Sequence, residues 1–210
     1  MRLKVFSLFG IIAPDIYIFP TIIGGLLRPG YNHLFNSVSD LLASGASNKK
    51  FLVPLFTIYP VLLSIFGFGI YSTLRSHPAP FNSPTGLADF ILIWFGVGIL
   101  GILTMTIFPQ DQQGTPMTKP GLMHLILVGI QAVSAMAAII LIGLWFNTNG
   151  LSGYFIYSLI TFILLITTGI ISMIGGVKKS RYMGLYERLN VVSILQWLIV
   201  IGICFYNLKS

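Results

Sequence analysis

The sequence predicts an all-α, polytopic membrane protein: a six-helix transmembrane bundle with a short interfacial or re-entrant helix in its first loop. Three observations predict it. Hydrophobic residues make up 55% of the 210 residues and charged residues 8%, with mean hydropathy +0.89. A soluble domain carries about 25% charged residues, so this chain lacks the polar surface to cover a soluble globule. Six segments hold the roughly 20 apolar residues that a helix needs to cross the hydrocarbon. Nowhere does strand-like alternation recur at the roughly ten-residue spacing of an outer-membrane barrel. In lipid, backbone groups must be satisfied inside the segment, which leaves helices.

The spans run approximately over 5–27, 51–74, 88–108, 121–146, 152–176 and 189–207. The first follows a basic lead, as in a signal peptide. Its apolar body is too long for one and no A-x-A site follows, so it is expected to be a retained helix. The second opens after Lys49 and Lys50. The fourth, "GLMHLILVGIQAVSAMAAIILIGLWF", and the fifth, "SGYFIYSLITFILLITTGIISMIGG", carry the scattered Gly, Ala, Ser and Thr that close packing in lipid favours. No soluble domain or linker interrupts the pattern, so 1–210 reads as one integral membrane domain.

The formal charge of +7 comes from 12 Lys and Arg against 5 Asp and Glu. In a soluble chain that excess suggests nucleic acid. Here the bases stand at the ends of apolar runs, where they meet lipid head groups, so no nucleic-acid partner is expected. With six spans both termini share a side. Four bases fall there: Arg2, Lys4, Arg75 and Lys209. The first, third and fifth loops hold eight: Arg28, Lys49, Lys50, Lys119, Lys178, Lys179, Arg181 and Arg188. That imbalance favours cytoplasmic odd loops, in the cell membrane of a prokaryote. Cys204, the single cysteine, cannot form an internal disulfide and reads as a small hydrophobe in the sixth span.

The odd loops also hold the chemistry. "RPGYNHLFNSVSDLLASGASNKK", residues 28–50, carries Tyr31, His33, Ser37, Ser39 and Asp40. On a helix over 33–44, His33, Ser37, Asp40 and Ser44 form one stripe beside an apolar stripe of Leu34, Val38 and Leu41. Gly45 can stop such a helix. The polar stripe is expected to face inward, making the loop a lid. The third loop, "FPQDQQGTPMTKPGLMH", holds Asp111 and leads to His124. The fifth, "KKSRYMGLYERLN", holds Glu187 and Arg188.

"PGYNHLFNSVSDLLASGA", "FPQD" with a His at the next helix start, and "GLYERLN" in that order resemble the membrane family named domain of unknown function 998. The likeness spans nearly the whole chain. It implies a six-helix membrane protein and no particular activity.

Several readings of the gathered residues stay open. As a ligand site, Tyr31, His33, Ser37, Asp40, Asp111, His124, Glu187 and Arg188 would bind or sense a lipid or small amphiphile, with Arg188 gripping a phosphate or carboxylate. As a membrane-embedded hydrolase, the chain would draw its catalytic groups from Ser37, Asp40, Asp111 and His124. A single divalent ion such as zinc would take His33, Asp111 and His124 as ligands. No HExxH or GxSxG motif supports either form of that chemistry. His77 falls on the other membrane side from His33 and His124, which does not suit bis-histidine haem. A transporter would use Asp15, a carboxyl near mid-membrane, where such groups usually face the bundle interior.

Overall fold

The computed structural model describes residues 2–76, 92–112 and 114–208. All its regular elements there are helical. α1 is Arg2–Leu27, α2 Lys49–Ser76, α4 Lys119–Thr148, α5 Ser152–Val177 and α6 Met183–Asn207. α3 runs as a π-helix over Leu92–Ile99 and as an α-helix over Leu100–Thr106. Residues 88–91 of the expected third span, and His77, lie outside the described residues. Five of the helices are long and apolar enough to cross a membrane, and α3 adds a shorter apolar one. The chain is thus a multi-pass integral membrane protein.

Each helix packs on the next in sequence, and α6 returns to pack on α1. The six helices therefore close a ring. Small residues set the approach where it closes: a Cβ on Gly202 of α6 would lie 3.2 Å from the Ser7 carbonyl of α1. At the end of the ring nearer the termini, aromatic packing fills the centre. Trp145 of α4 stacks on Phe205 of α6 at 5.6 Å, and Phe146 lies against both Phe205 and Tyr154. Cys204 is buried in the same cluster, the packed hydrophobe expected of it.

Two details differ from the sequence expectation. The short helix of the first loop is one 3-10 turn, Ser39–Leu42, and residues 33–38 are non-helical. α6 begins at Met183, so "GLYERLN" is helix and not loop. Both have one cause. Carbonyls of His33, Leu34, Phe35 and Asn36, which a helix over 33–44 would use internally, accept instead from the start of α6.

Asp15 is also not where expected. It is exposed on the outer face of α1, away from the ring's interior.

Candidate functional site

The first loop is held from within by its own polar side chains. Gly30 takes φ +76 to turn the chain out of α1. Asn32 and Asn36 then close a compact turn. The side chain of Asn36 accepts from the Asn32 amide, and that of Asn32 from the Leu34 amide, both at 2.9 Å. Ser37 Oγ accepts from the Asp40 amide at 3.0 Å and starts the 3-10 turn. Gly45, at φ +83, ends the turn region. The apolar residues of the segment, Val38, Leu41 and Leu42, are buried with Leu52 and Phe56 of α2. The loop thereby seats its own small core on the ring.

The first turns of α6 lock it there. The amides of Gly184 and Leu185, which a helix start leaves without internal partners, donate to the carbonyls of Phe35 and Leu34 at 3.3 and 3.0 Å. Gly184 itself meets the carbonyls of Asn36 and His33 so closely that a Cβ has no room. The Arg188 guanidinium donates to the carbonyls of His33, Asn36 and Gly184, to the Tyr31 hydroxyl at 2.7 Å, and to His33 Nδ1 at 3.1 Å. The Tyr31 hydroxyl in turn donates to the Ser37 carbonyl at 2.7 Å. Burial pushes the Tyr31 hydroxyl up to about 12, against the lowering effect of Arg188. His33 is shifted below the usual imidazole range by partial burial and then by the Arg188 charge.

Glu187, one residue back, faces elsewhere. Its carboxylate accepts from the Val38 amide at 2.8 Å, the Ser39 amide at 3.4 Å and Ser39 Oγ at 2.9 Å. It caps the 3-10 turn from a different helix, with the sign that a helix N-terminus favours. Asp40 is buried and pairs with Arg28 at 3.4 Å. Arg28, counted in the sequence as an orientation charge, is thus an internal partner.

The third loop is organised separately. Asp111 accepts from the amide and hydroxyl of Thr118, both at 2.7 Å, and these bonds hold its carboxyl below the usual carboxylate range. Thr118 caps α4 by accepting from the Gly121 amide at 3.2 Å. His124 is buried on the first turns of α4. Its Nδ1 lies 2.8 Å from the Phe108 carbonyl, which makes Nδ1 the protonated nitrogen when the ring is neutral.

Beneath the docked loop the ring holds a cavity of about 250 Å³, lined by all six helices and by Val38, Ser39 and Leu42 of the loop. Its polar groups include Ser39, Thr104, His124 and Glu187, each on the loop or within two turns of its helix's loop-side end. Further in, Ala132, Ala135, Val191 and Ile194 make apolar wall, interrupted by Tyr17, Tyr59 and Gln131. A second cleft of about 380 Å³ lies at the same membrane face, where Ser37, Gln110, Thr115 and Lys179 bring the three odd loops together.

The residues singled out from the sequence therefore divide. Tyr31, His33 and Arg188 form the lock, and Asp40 with Ser37 shapes the loop. His124 and Glu187 reach the cavity. Asp111 braces Thr118, the cap of α4, and does not line the cavity. His33, Asp111 and His124 are not brought together, and no three His, Cys, Asp or Glu side chains gather in a metal-holding group among the described residues. Ser37 Oγ meets Asp40 and Gln110, and Ser39 Oγ meets Glu187, so neither is paired with a histidine. Asp15 does not line the cavity. The sequence reading overlooked Tyr17, Tyr59, Thr104 and Gln131 as site residues. Polar groups within apolar runs were the only signal for them.

Fold and site define a class: an integral membrane protein with six helices among its described residues, whose central cavity is lined at one face by its own first loop. The chain belongs to the family Protein of unknown function (DUF998), which matches residues 11–203. No curated protein and no solved structure matches the chain.

Proposed function

We propose that the central cavity binds a small amphiphile and that the first loop reports its presence. One observation carries the reading: a cavity inside a membrane ring, apolar toward the bilayer centre and polar beneath the loop. The apolar part of the ligand rests against α4 and α6. Its polar end meets Ser39, His124 and Glu187. A negative group there would oppose the Glu187 carboxylate, which has no ion-pair partner among the described residues. The chemistry that fits is a head group that donates hydrogen bonds, an amine or a hydroxyl. Val38, Ser39 and Leu42 belong to both the cavity wall and the loop, so an occupant acts on the loop directly. Arg188 holds the loop through four hydrogen bonds and is not the group that grips the ligand.

The orientation with cytoplasmic odd loops goes with this reading. Removing the internally engaged Arg28 and Arg188 leaves six bases on that side against four. The cell membrane of a prokaryote is the expected location.

The test is retention and stabilisation of single-chain amphiphiles in lipid nanodiscs. Amine- and hydroxyl-ended chains should raise the melting temperature and survive into native mass spectra, and carboxylate-ended chains of equal length should not. Ala132→Trp fills the cavity and should abolish both effects. Ile163→Trp, on the outer face of α5, should leave them intact. Equal binding by the Ala132→Trp protein would refute the cavity as the site.

A further inference from the structure

α1 packs on α2 and α6 and turns its third face out of the ring. The exposed positions on that face are Val5, Leu8, Ile12, Asp15, Phe19, Ile22 and Leu26. They follow one another at steps of three and four, the seam along which two helices pack with shallow crossing. Any helix facing lipid shows such a stripe. What distinguishes this one is the carboxyl at its centre, in a helix of 26 residues. Asp15 has no hydrogen bond or ion pair among the described residues and is exposed near the middle of the apolar span Leu3–Leu27. A carboxyl left there in lipid is costly, and such groups as a rule find a polar partner.

We infer that this face of α1 packs against the same face of a second copy of the chain, with the two Asp15 carboxyls bonded to each other across a two-fold axis. A carboxylic acid group carries one donor and an acceptor. Two such groups satisfy one another with no third residue. The other residues of the stripe are apolar and supply no separate polar handle, which suits an isologous contact in which each position meets its own kind. A single polar residue in an apolar seam also fixes register, as a buried Asn does in coiled coils. The inference is independent of the cavity, since Asp15 does not line it.

Cysteine cross-linking in proteoliposomes containing only this protein tests it. In a Cys204→Ser background, Ile12→Cys and Phe19→Cys should each form a disulfide-linked dimer under oxidation. Ile163→Cys on α5, itself 62% exposed, supplies the collision background. Adding Asp15→Leu should lower cross-linking at both sites about tenfold, the effect of one lost interhelical hydrogen-bonded contact. Asp15→Asn, whose amide is self-complementary too, should keep most of it. Because Asp15 is exposed and makes no hydrogen bond or ion pair among the described residues, the melting temperature of the detergent-solubilised monomer should not fall with either variant. Cross-linking at Ile12 and Phe19 no greater than at Ile163, or unchanged by Asp15→Leu, overturns the proposal. So does cross-linking in native membranes that yields only adducts with other proteins.

Discussion

Arg188 on the first turns of α6 donates to the hydroxyl of Tyr31 in the first loop at 2.7 Å, across 157 residues of sequence. The same guanidinium serves three backbone carbonyls and a histidine nitrogen. Five donors in a rigid fork can do this and a lysine ammonium cannot. Arg188→Lys should therefore destabilise the protein by about 3 kcal/mol, through carbonyls left without donors under the loop. Tyr31→Phe removes one donor and one acceptor and should cost about 1–2 kcal/mol. Chemical denaturation in detergent, followed by limited proteolysis of the first loop, checks both. Equal effects from the two changes would mean that the guanidinium is not the organising group.

Gly184 lies where the loop backbone and α6 touch. A methyl there meets the carbonyls of Asn36 and His33, which are backbone atoms with nowhere to turn. Gly184→Ala should force the loop outward at a cost of about 1–3 kcal/mol, even though alanine is the better helix former. The control is Gly153→Ala on α5, where a Cβ meets nothing within 4 Å. Replacing this first-turn glycine, which has free space around it, should be neutral or slightly stabilising. Hydrogen exchange at residues 33–42 should rise in the Gly184 variant and stay unchanged in the Gly153 variant.

His33 gives the loop a pH dependence of definite sign. Its Nδ1 accepts from Arg188, so the fold holds the neutral ring, and its value in the folded state lies below 6.5. The unfolded chain takes up a proton first as pH falls. Stability from this group is thus full above about pH 6.5 and is lost as pH falls through the lower folded value. Protonation also places a second cation beside the Arg188 guanidinium. A protease accessible only to the undocked loop should cut faster at mildly acidic pH than at neutral pH. His33→Gln, with an oxygen to accept and no charge to gain, should flatten the profile. A profile unchanged by that substitution would rule His33 out as its origin.

The contrast between what the residues announce and what they conceal follows from lipid. Helices such as α4 and α5 are legible because the hydrocarbon leaves an apolar run one conformation. The start of α6 is not, because Tyr186, Glu187, Arg188 and Asn190 look like water-facing residues. Glu187 and Arg188 find their partners instead in a loop about 150 residues away, as for Val38 and Glu187 at a separation of 149, and Asn190 donates to the Leu165 carbonyl of α5. The first loop misleads in the complementary way: its stripe of His33, Ser37 and Asp40 fits a helical wheel, yet those turns open to feed α6. Chemical types were readable, since His124 and Glu187 do reach one cavity. Which polar group meets which was not, since nothing in composition or spacing records a contact between chain segments so far apart. Asp15 shows the limit most plainly, since the general preference for inward-facing charges pointed the wrong way.

Glu187 and Ser39 join the loop to the cavity, and their coupling can be measured. The carboxylate accepts on both oxygens: Val38 N–H on Oε2, and the Ser39 amide and hydroxyl on Oε1. Glu187→Gln places an NH₂ group against one of these donors, so it should lose about 1–3 kcal/mol although it is nearly isosteric. Ser39→Ala removes only the hydroxyl and should lose about 1 kcal/mol. Residues in one network are not additive, so the double variant should be less destabilised than the sum by about 0.5–1 kcal/mol. The same cycle separates structure from binding. Amine-ended amphiphiles should lose affinity in Glu187→Gln by more than its stability change accounts for, while Ser39→Ala leaves the charge and should weaken them less. Additive stability effects would mean that the turn is held by the backbone amides alone. Amine binding that survives Glu187→Gln unchanged would place the ligand's polar end elsewhere in the cavity, away from α6.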